Sequence, residues 1–128
     1  MNSTSTKYRL SRLHAHTTGL DLDVALDRLG GNVSLLADLL QRFATEHQAG
    51  ADEIDALVNA QRPSHAVEAL HRLKGAARIV GAFVLADAAQ RAEDALLRGD
   101  STPLAGFRVA LHEAVDGAWA CAPRKPLR

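Results

Sequence analysis

From Leu20 onward the apolar residues of this chain recur every three or four positions. No stretch alternates apolar with polar residues as a half-buried strand would. That periodicity restricts the fold to packed helices, and Gly and Pro residues divide it into segments. Leu22, Leu26 and Leu29 share one face of a short helix that Gly30-Gly31 ends. Asn32 is an N-cap candidate for a second helix whose apolar stripe runs Leu35, Leu36, Leu39, Leu40, Phe43, then Ile54, Leu57 and Val58. Gly50 interrupts that stripe at a cost of about 1 kcal/mol relative to Ala, and one long helix is expected across it. Pro63 suits the first turn of a third helix, which runs to about Val80 with Gly81 as its C-cap candidate. A fourth carries Leu85, Ala88, Ala89, Ala92 and Leu96 inward and stops at Gly99-Asp100. Pro103 opens a fifth with Leu104, Phe107, Leu111, Val115 and Trp119. Short connections between the last four helices predict an all-α, antiparallel up-down four-helix bundle with a short additional N-terminal helix. Residues 1–19 read as a flexible N-terminal segment, 20–122 as the bundle and 123–128 as a basic C-terminal tail.

Composition narrows the function classes. The 128 residues fit one domain, and with 47% hydrophobic but only 4% aromatic residues the core must be built from Ala and Leu. Fifteen basic residues balance fifteen acidic ones, so the footprint needed for nucleic-acid binding is missing. Cys121 is the only cysteine, which excludes an internal disulfide and suits a reducing compartment. The most apolar run, Ile79 to Ala86, is far shorter than the roughly 18 residues a membrane span needs. The Ser/Thr-rich start lacks an apolar signal core. A cytoplasmic location without membrane insertion is expected, either as an independent protein or as a segment of a larger receptor.

The chemistry concentrates on the third helix. With His71 as the zero direction and about 100° per residue, Lys74 falls near about 300°, Gly75 near about 40° and Arg78 near about 340°. Ala66, Ala69, Leu70, Leu73, Ala77 and Val80 spread over the opposite side. One face is therefore core. The other centres on a histidine with two cations beside it and a glycine where a side chain would crowd it. A neutral imidazole nitrogen is a nucleophile near pH 7. Lys74 can reach phosphoryl oxygens, and Arg78 adds a second, longer-range cation. Gly75, costly in a helix interior, lets another protein's surface approach the ring, or else serves as a small-residue contact between helices. If the chain reverses at Gly81-Ala82, facing positions in the hairpin sum to about 163. His71 is then level with Ala92, and Gln90 and Glu93 flank that level. Either could hold the imidazole nitrogen that does not react; Glu93 is favoured.

The other histidines have simpler readings. His14 and His16 resemble a two-ligand metal pair, but no cysteine or carboxylate cluster completes it. His47 beside Glu46 and His112 beside Glu113 read as polar helix faces, and His65 as part of an exposed first turn.

The run His71-Arg72-Leu73-Lys74-Gly75-Ala76-Ala77 followed by Gly81-Ala82 resembles the H-x-L-K-G-x-A…G-A signature of bacterial histidine-containing phosphotransfer (HPt) domains. Asp23 to Gly31 and Leu36 to Phe43 resemble that family's opening helices, and Glu93 falls where the family carries Gln or Glu beside the histidine. The resemblance covers roughly residues 20 to 118. Arg62-Pro63-Ser64 departs from it, since the family often has an acidic cap there. It implies a four-helix phosphorelay intermediate of a two-component system. His71 would become a phosphohistidine, supported by Lys74 and Gly75 and oriented by Glu93. The implied partners are response-regulator receiver domains, with a hybrid sensor kinase as a further one. No intrinsic cofactor is implied, because the receiver brings Mg²⁺ and the reacting aspartate. Arg72 stands where dimerising kinases typically place an acid, and no ATP-binding region follows, so no autokinase activity is expected. A monomer is expected, docking through the His71 face and small and apolar residues of the second and fourth helices. The alternatives are an adaptor bundle that binds a receiver without transferring phosphate, and a metal site at His71 and Glu93, against which Lys74 counts.

Overall fold

A computed structural model describes residues 20–121, where all regular structure is helical. Helix α1 spans Leu22–Arg28, α2 Val33–His47, α3 Gly50–Asn59, α4 Pro63–Ile79, α5 Phe83–Leu97 and α6 Leu104–Cys121. The expectations for residues 1–19 and 123–128, including His14 and His16, lie outside the described residues. Local chemistry fixes the helix starts. Asp21 Oδ1 accepts from the Val24 N–H at 3.2 Å and Asn32 Oδ1 from the Leu35 N–H at 3.0 Å, so both serve as N-caps. Pro63 opens α4.

The expected long second helix is two helices. The chain leaves α2 at Gln48 and passes Ala49 at φ −98°, ψ 10° before α3 begins. Gly50 lies just past the break, buried where α3 comes closest to α4 and α6. A Cβ there would stand 3.1 Å from Leu73 Cδ1 and 3.3 Å from Leu111 Cδ2. The bend thus brings the α3 backbone in against its neighbours, and the missing side chain permits that approach.

The core is built mainly of Leu and Ala, with Phe43 and Phe107 among the larger residues. Along α5, Ala86, Ala88, Ala89, Ala92 and Ala95 are all buried, so their small side chains let neighbouring helices pack closely. On α3, Leu57 and Val58 are only half-buried, as is Ala69 on α4. Leu35 and Trp119 are exposed rather than inward. In α2 the inward positions belong to Leu36 and Leu40, and near the end of α6 to Ala114, Ala118 and Cys121. An ion pair from Arg108 to Asp52 (2.8 Å) and one to Asp55 tie α6 to α3. Among the described residues no helix is long and apolar enough to cross a membrane.

One terminating motif recurs. At the end of α4 the Ala82 N–H bonds to Ala77 O (2.8 Å) and the Gly81 N–H to Arg78 O (3.2 Å), with Gly81 at φ +79°. This pairing satisfies the last carbonyls of the helix through a left-handed residue. At the end of α3 the same pairing runs from Arg62 to Leu57 and from Gln61 to Val58, but the left-handed residue is Gln61, at φ +61°. Gly81 is constrained twice, since an added Cβ would also stand 2.3 Å from the Asp21 carbonyl oxygen. Chemical denaturation should show Gly81→Ala losing at least about 2 kcal/mol, and Gln61→Gly gaining up to about 1 kcal/mol, because only the latter relieves a left-handed side chain.

His47 departs from its expected place on a polar face. It is half-buried, with its ring 5.2 Å from that of Phe43. Burial lowers its pKa, with Glu46 and Glu53 opposing. A depressed histidine contributes stability that is present above its unfolded value of about 6.5 and lost as pH falls through the folded value. As pH falls from about 7 toward about 5, His47→Gln should flatten the loss of stability measured by urea midpoints. An unchanged slope would assign that loss to other groups.

Candidate functional site

The α4–α5 hairpin brings the candidate residues together. His71 lies on the exposed side of α4, with 67% of its side chain accessible, and its Nδ1 approaches Glu93 Oε2 on α5 at 3.5 Å. Glu93 is far less accessible, at 14%, and its other carboxylate oxygen, Oε1, lies 3.3 Å from Lys74 Nζ. One carboxylate therefore faces both the imidazole and the lysine.

Lys74 is not set in solvent beside the ring, as its helical angle suggested. It is a buried charged residue, 6% exposed, and its ammonium also donates to Gln90 Oε1. Gln90 in turn donates from Nε2 to Asp94 Oδ1 at 2.9 Å, one turn along α5. The result is a line of polar side chains, Asp94–Gln90–Lys74–Glu93–His71, that crosses three times between α5 and α4 and ends on α4. Burial of the lysine is tolerable because two acceptors on the facing helix receive its protons. Asp94 was not singled out in the sequence. Its i, i+4 spacing from Gln90 was the available signal.

Gly75 lies one turn past His71 on the exposed surface of α4, and a Cβ added there would meet nothing within 4 Å. Among the described residues no neighbouring helix occupies that space, so the glycine makes no interhelical contact there. Arg78 is exposed in the last turn of α4. Its carbonyl accepts from Arg28 Nη1 at 3.3 Å, and the Arg28 guanidinium lies 5.4 Å from the centre of the Phe83 ring, docking α1 on the hairpin. His65 and His112 are exposed and outside the cluster. Among the described residues no three or more His, Cys, Asp or Glu side chains form a metal-binding group.

The family model for the Hpt domain matches residues 38–120, more than half of the chain. The chain belongs to the Hpt domain family. Hpt domains are phosphotransfer carriers rather than kinases; they act through phosphohistidine in two-component phosphorelays and interact with response-regulator receivers. Among curated proteins and solved structures, none matches the chain. The matched span of this Hpt domain contains the whole α4–α5 hairpin and every residue of the polar line.

Because the space beside Gly75 is empty in this Hpt domain, the glycine costs helix stability without an internal packing return. Gly75→Ala should raise unfolding free energy by about 1 kcal/mol in a denaturant titration. A loss of stability would mean that the site is more crowded than its geometry indicates.

Proposed function

We propose that His71 is the phosphoacceptor, taking a phosphoryl group from a receiver aspartate and passing it to another receiver. The observation that carries this reading is an exposed imidazole whose Nδ1 faces one carboxylate oxygen at 3.5 Å, with no described atom near Gly75 beside it. With the proton on Nδ1 facing Glu93, the free lone pair is on Nε2, which points toward an incoming partner. Nε2 attacks phosphorus, the N–P bond forms, and the bond to the receiver's aspartyl oxygen breaks. The aspartate leaves as a carboxylate. Nδ1 keeps its proton, so the ring becomes a phosphoimidazolium whose positive charge faces Glu93. Passing the group on reverses these bond changes on a second aspartate.

Mg²⁺ and the aspartate belong to the receiver, and this chain needs no intrinsic cofactor and has no autokinase activity of its own. Its contribution is a placed nucleophile, nearby cations and a surface to dock on. Lys74 and Arg78 offset the charge gained on phosphorylation, and Gln90 holds Lys74. The docking surface is the His71 face of α4 with adjoining residues of α2 and α5, and Ile79, 54% exposed two turns past His71, adds an apolar contact. The finer architecture is an antiparallel up-down four-helix bundle over residues 20–122, with α1 as its N-terminal addition. The protein acts in the cytoplasm as a monomer, its partners being receivers, including that of a hybrid sensor kinase.

A phosphorylated receiver carrying radiolabel tests the reading. His71→Gln should abolish label acceptance with helicity unchanged, and Gly75→Gln should slow transfer about tenfold or more by displacing the partner's approach. Persistent labelling of the His71 variant, or receiver binding by the wild type without transfer, would contradict it.

A further inference from the structure

We propose that the groove between α5 and α6 is the seat of the chain's own N-terminal segment, residues 1–19, which enters it through Tyr8, Leu10 and Leu13. The groove lies on the α6 side of α5, whereas Gln90 and Glu93 meet residues of α4, so it is separate from the His71 site.

The groove is apolar and open to solvent. It encloses about 330 Å³ over Ala88, Phe107 and Ala110, which are buried beneath it. Val84 on α5 and Val109 on α6 also line it, and they are 56% and 57% exposed. Leaving both in water forgoes the gain from burying them. Gly106 keeps the groove clear, since a Cβ added there would meet nothing within 4 Å. Arg91 and Glu113 are its only charged lining residues, and both are exposed. Such a lining holds few polar groups to orient a small polar ligand. It suits the apolar side chains of a peptide.

Position and length name the occupant. The Asp21 N–H bonds to Gly81 O at 2.7 Å, which pins the chain just after this segment one turn before Val84. Leu13, eight residues before Asp21, can reach about 26 Å from it along an extended chain. The α6 lining from Pro103 to Glu113 is about 15 Å long at 1.5 Å per residue, so the tether spans the groove. A tethered segment is also present at an effective concentration on the order of millimolar. Residues 122–128 are less suited, because Leu127 is their one large aliphatic side chain. Charge agrees with this choice. Residues 1–19 contain Lys7, Arg9 and Arg12 and no Asp or Glu. Exposed Asp87 is one turn from Val84, and exposed Asp116 one turn from Glu113, whereas Arg91 is the one basic residue in the lining. A basic segment with three apolar side chains complements an apolar groove flanked by acids.

The test uses the full chain. Nuclear Overhauser spectra of methyl-labelled protein should show contacts from the Leu10 and Leu13 methyls to those of Val84 and Val109. Trypsin cuts after Lys7, Arg9 and Arg12, and a seated segment slows it. Gly106→Gln fills the groove from a position open to a side chain. It should speed cleavage at these sites about tenfold or more with circular dichroism unchanged. Leu10→Ser together with Leu13→Ser should speed it as much. Adding Gly106→Gln to that pair should do little more, because both changes remove one interaction. Absent contacts in the wild type, or cleavage that Gly106→Gln leaves unchanged, would overturn the proposal. So would contacts that arise only between differently labelled copies, which would make the occupant a second chain. Should Gly106→Gln not fold, the wild-type contacts decide alone.

Discussion

The register of α4 against α5 is set where the chain turns between them, in the three residues after Ile79. Gly81 takes a left-handed conformation there, its carbonyl accepts from the Asp21 N–H at 2.7 Å, and the Asp21 carbonyl oxygen occupies the space a side chain would need. The hairpin is thus closed by its own terminating motif and clamped from outside by the segment leading into α1. A slip of one residue in either helix would rotate its polar positions by about 100° and take Glu93 and Gln90 away from α4. The buried alanines of α5 lock the register further, because small side chains leave little play between the helices.

Once the register is fixed, the site follows from a division of burial. Lys74 and Glu93 sit inward, where a charge needs a partner, and each partly satisfies the other. His71 sits outward, where a nucleophile must be if another macromolecule is to reach it. Gly75 leaves the next turn of the helix bare. The site therefore has a hydrogen-bonded inner side and an exposed outer side. Exposure also suits a short encounter, since a carrier must release each partner.

Much of this was legible in the residues themselves. Helix existence followed from three- and four-residue spacing, and the boundaries at Gly30-Gly31, Pro63, Gly81 and Gly99 from backbone chemistry. The pairing of position 71 with 93 and of 74 with 90 follows from midpoint symmetry about Gly81, within one residue of the expected sum. What the sequence concealed is depth. A helical angle near about 300° places Lys74 to one side of His71, but says nothing about how closely α5 covers that side, which depends on the alanines of the opposite helix. The break after His47 was hidden for a related reason. Its apolar stripe resumes at Ile54 after Gly50, and the close approach of Leu73 and Leu111 to that glycine is visible only in the fold. Gln61 is a third case, since a left-handed residue that is not glycine leaves no compositional mark. The sequence left two roles for Gly75, and no described residue packs against it.

The central claim is chemical and can be read directly. Treating the full chain with a small phosphoramidate donor and recording its ³¹P and ¹⁵N spectra shows which nitrogen of which histidine carries phosphate. The account predicts a single phosphoryl group, on Nε2 of His71, with Nδ1 still protonated against Glu93. Phosphate on Nδ1 of that ring, or on His65 or His112 in its place, would contradict it.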